Sequence, residues 1–206
     1  LRTPNATAGT SFTATLYAVD SYNNLVDAGT GNYTGSKTIS WANSNAGSSP
    51  GGNAPSFPTT SVTFSNGVST TTLTTIYYNA TTSRDLRADD TVNSITGTAS
   101  TGFTVQSQVV NNYGVTATSP QTAGVAFNVT VTARDTYNNA LGSLYTAPAG
   151  TYVWSSTATS APDGTAANIG TTLAQANFTS GVATKSVTLY KAESVNFTAS
   201  EPSPSS

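Results

Sequence analysis

The 206 residues contain no cysteine, no methionine and no histidine. The first absence excludes disulfides and thiolate metal sites. The last removes the usual general base near neutral pH, so Ser–His–Asp and Cys–His nucleophile arrangements are excluded and no enzyme is expected. Charge is scarce too: seven Lys and Arg stand against nine Asp and Glu, for a net charge of −2. So few dispersed cations make no phosphate-tracking surface, and nucleic acid is excluded as a partner. There is no apolar run of about 18 residues, so no membrane insertion is expected. Nothing in the residue types calls for a cofactor. Helix builders (Glu, Lys, Leu) are few, whereas Thr and Ser make up about a third of the chain, far above ordinary usage. Thr and Val favour strands, so the composition reads as all-β.

A hydroxyl- and Asn-rich surface with so little charge departs from the charged surfaces that keep intracellular proteins soluble. It points to an extracellular, cell-surface setting. The chain begins at Leu1 and carries no signal peptide, as a processed secreted product or a cut piece would.

Most of the sequence occurs twice. TAGTSFTATLYAVDSYNNLV (7–26) returns as TAGVAFNVTVTARDTYNNAL (122–141) without a gap. FSNGVSTTTLTTIYY (64–78) returns as FTSGVATKSVTLYK (178–191), Trp41 as Trp154, and YNATTSRDLRADD (78–90) as YKAESVNFTASE (190–201) with one residue deleted. Blocks that match while their offsets drift are what loop insertions leave in a duplicated domain. Two tandem domains are expected, 1–106 and 107–206.

Each copy reads as short strands. Phe127, Val129, Val131 and Ala133 alternate with Asn128, Thr130 and Thr132, a half-buried strand pattern. Similar runs occur at 12–18, 39–41, 62–64, 68–76, 86–88 and 95–105, separated by Gly-, Asn-, Ser- and Pro-rich turns. About seven strands per 100 residues without a helical period predicts a β-sandwich for each copy.

TAG-x-x-F-x-V-x-V-x-A-x-D-x-Y-x-N, then F-x-x-G-V-A-T, then D-x-x-N-S-I-T-G-T-A-S-x-x-x-V resembles the Ig-like repeats of large prokaryotic surface proteins. The resemblance spans almost the whole chain. It implies Ig-like sandwiches of the kind found in adhesin stalks, surface-layer-associated proteins and extracellular filaments. Some such filament domains form a Lys–Asn isopeptide crosslink. Lys37, Lys185 and Lys191 show no matched Lys, Asn and acid set in both copies.

Several motifs carry two readings. DSYNN (20–24) and DTYNN (135–139) read as strand-end turns, with Asp as cap and Asn in left-handed backbone. The alternative is a calcium site using Asp20 and Asn24 with Asp27, Asp89 or Asp90, or Asp135 with Asp163. Asp85, Asp89 and Asp90 offer paired carboxylates, but Arg84 and Arg87 sit among them and the second copy has Asn196, Ser200 and Glu201 instead. A solvated strand face is the simpler reading. Six N-x-T sequons, at Asn5, Asn32, Asn79, Asn128, Asn177 and Asn196, are candidates for N-linked glycans. Trp41 and Trp154 are expected to be buried between sheets. Tyr17, Tyr77, Tyr78 and Tyr190 are read as exposed, which leaves open sugar stacking or subunit contact. The segment 103–114 is expected to run from the last strand of one domain directly into the first of the next, as a semi-rigid connection.

One stretch appears once. In DTVNSITGTASTGFTV (90–105), Ile95, Ala99, Phe103 and Val105 are expected to form the closing strand of the first copy. The second copy has EPSPSS at that point, which is too short and too proline-rich. An open groove would leave apolar side chains uncovered at a cost of about 5–10 kcal/mol. The expectation is a structural subunit that polymerises head-to-tail with copies of itself by donor-strand complementation, as a pilus-like thread or surface array. LRTPNATA (1–8) is the natural donor, although short. Two alternatives stand beside this: a piece of a longer adhesin stalk, and a carbohydrate-binding module.

Overall fold

The computed structural model describes residues 6–42, 47–150 and 152–201. The chain is all-β. The only helical elements among these residues are three single 3-10 turns, Gly29–Gly31, Gly142–Leu144 and Gln175–Asn177. It divides into two compact units, Leu1–Gln106 and Ser107–Ser206.

Among its described residues unit 1 holds nine strands: β1 (Ala6–Thr7), β2 (Ser11–Ala14), β3 (Gly35–Ala42), β4 (Ser61–Ser65), β5 (Val68–Ser69), β6 (Leu73–Ile76), β7 (Thr81–Arg84), β8 (Arg87–Asp90) and β9 (Phe103–Gln106). They form a sheet of order β5-β4-β3-β8, a β2-β6 pair, and a sheet of order β1-β9-β7. Strand β9 runs parallel to β1 and antiparallel to β7. Period-2 burial along β4, with Val62 and Phe64 inside, feeds a core shared with Ala14, Leu16, Ile39, Leu73 and Leu86. Each fully buried aliphatic side chain there contributes about 1.5–3 kcal/mol.

Unit 2 holds β10 (Asn112–Ala117), β11 (Ala126–Arg134), β12 (Val153–Ser156), β13 (Val182–Thr188) and β14 (Phe197–Ser200). Strands β10-β11-β13 form one antiparallel sheet and β12-β14 another. Val129, Val131 and Ala133 are buried, on the inward phase that the sequence alternation predicts. Tyr145 and Tyr152 lie among them. Their hydroxyls join that of Tyr113 in a chain that ends on the carbonyl of Pro148 and the carboxylate of Glu201.

The closing strand of unit 1 is shorter than the alternation predicts. Only Phe103–Gln106 pairs as a strand. Ile95 is half exposed and bridges back to Asp90 across a tight turn with Ser94 at φ 57°. Gly97 then passes so close to β8 that a Cβ there would lie 1.9 Å from the Ala88 carbonyl oxygen. The backbone between Ile95 and Phe103 follows these local contacts rather than a ladder.

Candidate strand-docking site

The two units share bonds at the repeated blocks, so the matched positions can be compared. Gly9 N–H donates to the Tyr77 carbonyl at 2.8 Å, and Gly124 N–H to that of Leu189 at 2.8 Å. Trp41 stands opposite Ala88 and Trp154 opposite Ala199. Their indoles donate to Thr59 O at 3.1 Å and to Ile169 O at 2.9 Å. Strands β2 and β6 therefore correspond to β11 and β13, and β3 and β8 to β12 and β14.

The units differ where β9 lies. In unit 1, Phe103 and Val105 are buried. The Phe103 ring meets Phe12 edge-on at 5.5 Å and Tyr77 at 5.8 Å, contacts that add to simple burial. Ala8, Tyr77 and Leu86 are almost completely shielded. Unit 2 has no counterpart of β9 among the described residues. In that place lies a cavity of about 580 Å³, between residues 115–123 on one side and 191–197 on the other. Phe127 and Leu189, the counterparts of Phe12 and Tyr77, line it. Ala123, counterpart of Ala8, is exposed. Leu189 and Phe197, counterparts of Tyr77 and Leu86, are only half-buried.

The 191–197 wall is held in place by its own bonds. Glu193 accepts the Thr159 backbone N–H at 2.7 Å and its hydroxyl at 2.8 Å, and pairs with Lys191 at 3.2 Å. Asn196 N–H donates to the Thr157 hydroxyl at 3.0 Å. The wall offers no regular strand to match β7, the strand that β9 pairs with in unit 1. Among the described residues, the position that β9 fills in unit 1 is in unit 2 a groove of mixed polar and apolar lining, with Phe127, Leu189 and Phe197 on its apolar side.

The DxYNN motifs form the same turn twice. The Asp20 carboxylate accepts Tyr22 N–H, Asn24 N–H and Asn24 Nδ2, with Asn23 at φ 65°. Asp135 does the same with Tyr137 and Asn139, with Asn138 at φ 62°. Each carboxylate is committed to donors of its own loop, and a cation would have to displace them. No three acidic side chains gather as a metal-ligand group among the described residues. Asp89 pairs with Arg87 at 2.9 Å and accepts Gly97 N–H, while Asp90 faces Asn93 and the Tyr33 hydroxyl. Arg84 is buried in β7 rather than solvated.

These bonds set the pH dependence of stability. Asn24, through its side chain first, holds the Asp20 carboxyl below the usual range, and Thr159 does so for Glu193. Burial pulls Asp90 upward, but donors from Tyr33 and Asn93 outweigh it and the net direction is down. Burial pushes the Tyr77 phenol up to about 12 and raises those of Tyr33, Tyr113 and Tyr152 as well. A depressed carboxyl stabilises above its unfolded value near 4 and loses that contribution as pH falls; a raised phenol stabilises below its unfolded value near 10 and loses it as pH rises. With no histidine between them, the denaturation midpoint is expected to stay level from about pH 5 to pH 9 and to fall beyond both ends. Urea titrations across this range check it, and a step near pH 6–7 would contradict it.

The other sequence candidates are scattered. Asn5 lies outside the described residues. Asn128, Asn177 and Asn196 are exposed, while the Asn32 and Asn79 amide nitrogens donate to Asn66 Oδ1 and the Ser48 carbonyl. Trp41 and Trp154 are half-buried against the cores rather than enclosed, because the indole edge reaches a loop carbonyl at the margin. Tyr77 is buried, not exposed, since β9 and Phe57 cover its ring. Tyr17 and Tyr190 are exposed. Lys185 is buried and donates to Thr171 and Thr172, with no carboxylate among these partners. No described helix is long and apolar enough to cross a membrane. No protein-family model matches the chain, and no curated protein matches it by sequence.

Proposed function

We propose that each unit is an Ig-like β-sandwich and that the chain is a non-enzymatic structural element of an extracellular filament or stalk, whose serial units are completed by strands from their neighbours. The observation that carries this reading is the groove of unit 2 at the place β9 fills in unit 1. A groove lined by Phe127, Leu189 and Phe197 beside residues 118–122 accepts an extended segment with two apolar side chains at alternate positions. The hydroxyl-rich, weakly charged surface and the exposed sequons at Asn128 and Asn177 suit an extracellular glycoprotein. Neither Asn128 nor Asn177 belongs to the groove lining, whereas Asn196 does.

Residue 6 onward of the amino-terminal stretch is occupied. Ala6 and Thr7 pair with β9, and Ala6 and Ala8 are buried. The donor for unit 2 is therefore a β9-type strand of a neighbouring repeat, not this stretch. A synthetic peptide of residues 97–107 is expected to bind the chain and raise its thermal midpoint, as any ligand selective for the folded state does. The same peptide with Phe103→Asp and Val105→Asp is expected to do neither. Absence of any shift with the unaltered peptide at saturating concentration would remove the basis of the reading.

A further inference from the structure

The units also differ at a second sheet edge, of the opposite kind. In unit 2, β10 pairs with the outer edge of β11 from Ala117↔Val129 to Asn112↔Arg134. The matching stretch of unit 1 is Ala14–Val19, and among the described residues no strand pairs with that edge. The consequences follow residue by residue. The long strand β11 persists to Arg134, whereas β2 stops at Ala14. Thr130, Thr132 and Arg134 are half-buried, whereas Thr15, Tyr17 and Val19 are exposed. Tyr17 is 55 % accessible, Val19 47 % and Tyr22 83 %, and Leu25 adjoins them through its bridge to Val19. Leu16 and Ala18 bond inward to Ser69 and Gly67, so the strand is anchored on that side, and no described strand pairs with the other. A sheet edge with exposed apolar side chains is a template for another strand.

The chain itself shows the occupant. Strand β9 fills the closing position of unit 1, and after the five residues 107–111 the same segment becomes β10, the edge strand of unit 2. One connector thus serves two positions, and no strand among the described residues serves either the groove of unit 2 or the edge of unit 1. We infer that the Thr15–Tyr17–Val19 edge of unit 1 accepts, antiparallel, a β10-type strand from a neighbouring repeat, the downstream half of the connector whose upstream half fills a unit 2 groove. The register carries over from unit 2, with Tyr17 opposite the counterpart of Gly114 and Val19 opposite that of Asn112. A glycine opposite Tyr17 leaves room for the ring to lie across the incoming strand. This inference rests on the reading that neighbouring repeats complete each unit.

Two fusions test it, each joined directly after Glu201, the counterpart of Asp90. Appending residues 91–106 supplies only the closing strand and is expected to yield a monomer with a raised thermal midpoint. Appending residues 91–117 adds the edge strand and is expected to give concentration-dependent head-to-tail oligomers by size-exclusion chromatography with light scattering. Val115→Pro within the appended copy leaves the host fold untouched and is expected to abolish assembly. So are Tyr17→Lys with Val19→Lys in the host, at positions already exposed. If the longer fusion stays monomeric while the shorter is stabilised, docking on unit 1 is overturned and the groove reading stands. If the shorter fusion gains no stability, the groove reading itself fails. Oligomers that persist in the Lys variants would show exchange of β10 instead and would also overturn the inference.

Discussion

Phe103→Ala is expected to destabilise unit 1 by about 3–5 kcal/mol, the range for truncating a buried phenylalanine in a core that only partly collapses. The ring is buried, touches Phe12 and Tyr77 at 5.5 and 5.8 Å, and holds β9 over Ala8. Its loss removes transfer energy, aromatic contacts and the cover of neighbouring apolar atoms at once. Phe127→Ala in unit 2 is expected to cost only about 1 kcal/mol, because that ring already lines open space and its aromatic neighbour is Phe197 at 6.4 Å. Denaturant titrations of the two variants give the comparison directly. Equal costs would mean that the unit 2 groove is closed in solution by something other than a β9 counterpart. In the fusion carrying residues 91–106, Phe127→Ala should become as costly as a truncation at Phe12, since the same ring would then face a filled groove.

Much of this arrangement is legible in the sequence because its causes are local. Period-2 alternation identifies Val129, Val131 and Ala133 as inward, and the pairing bears that out. Asp followed by Tyr-Asn-Asn specifies its turn through short-range bonds, so both copies fold it alike. Other features depend on partners distant in sequence. Alternation from Ile95 to Val105 reads as a strand, yet the Asp90–Ile95 turn and the approach of Gly97 to Ala88 divert the backbone until Phe103. Tyr77 reads like its neighbours in sequence and is buried because Phe12, Phe57 and the Phe103 ring of β9 pack against it. Arg84 reads as a solvent-facing counter-charge to the aspartates but is buried in β7, beside the strand that closes the unit. The open edge of unit 1 is the least legible feature. Tyr17 and Val19 continue the strand pattern of 12–18, and only the comparison of the copies carries a signal: VVNNYGVTATSPQ leads into the second TAG, and LRTPNA into the first.

The two DxYNN turns isolate what that partner strand contributes. Asp135→Ala is expected to cost about 3–5 kcal/mol. The carboxylate has 0 % accessibility and accepts Tyr137 N–H, Asn139 N–H, Asn139 Nδ2 and, at 3.1 Å, Gln108 N–H. Removing it strands several donors where water does not reach. Asn112 adds a further tie, donating from Nδ2 to the Asp135 carbonyl and to Asn138 Oδ1 at 3.3 Å each. Gln108 and Asn112 lead into and begin β10, so the same segment that pairs with β11 also seals this turn. The counterpart, Asp20→Ala, removes the same loop bonds at an exposed site where solvent replaces the carboxylate, and a much smaller shift in denaturation midpoint is expected. The Asp, Tyr and two Asn, the left-handed Asn and the bonds to the carboxylate match between the turns, although Ser21 stands where the second has Thr136; the main difference is the cover. In the oligomers formed by the 91–117 fusion, the incoming strand should bring its own Gln and Asn over Asp20, and Asp20→Ala should then weaken assembly and approach the Asp135→Ala penalty. If Asp20→Ala stays cheap in the assembled state, the incoming strand has not taken the register that β10 takes on β11.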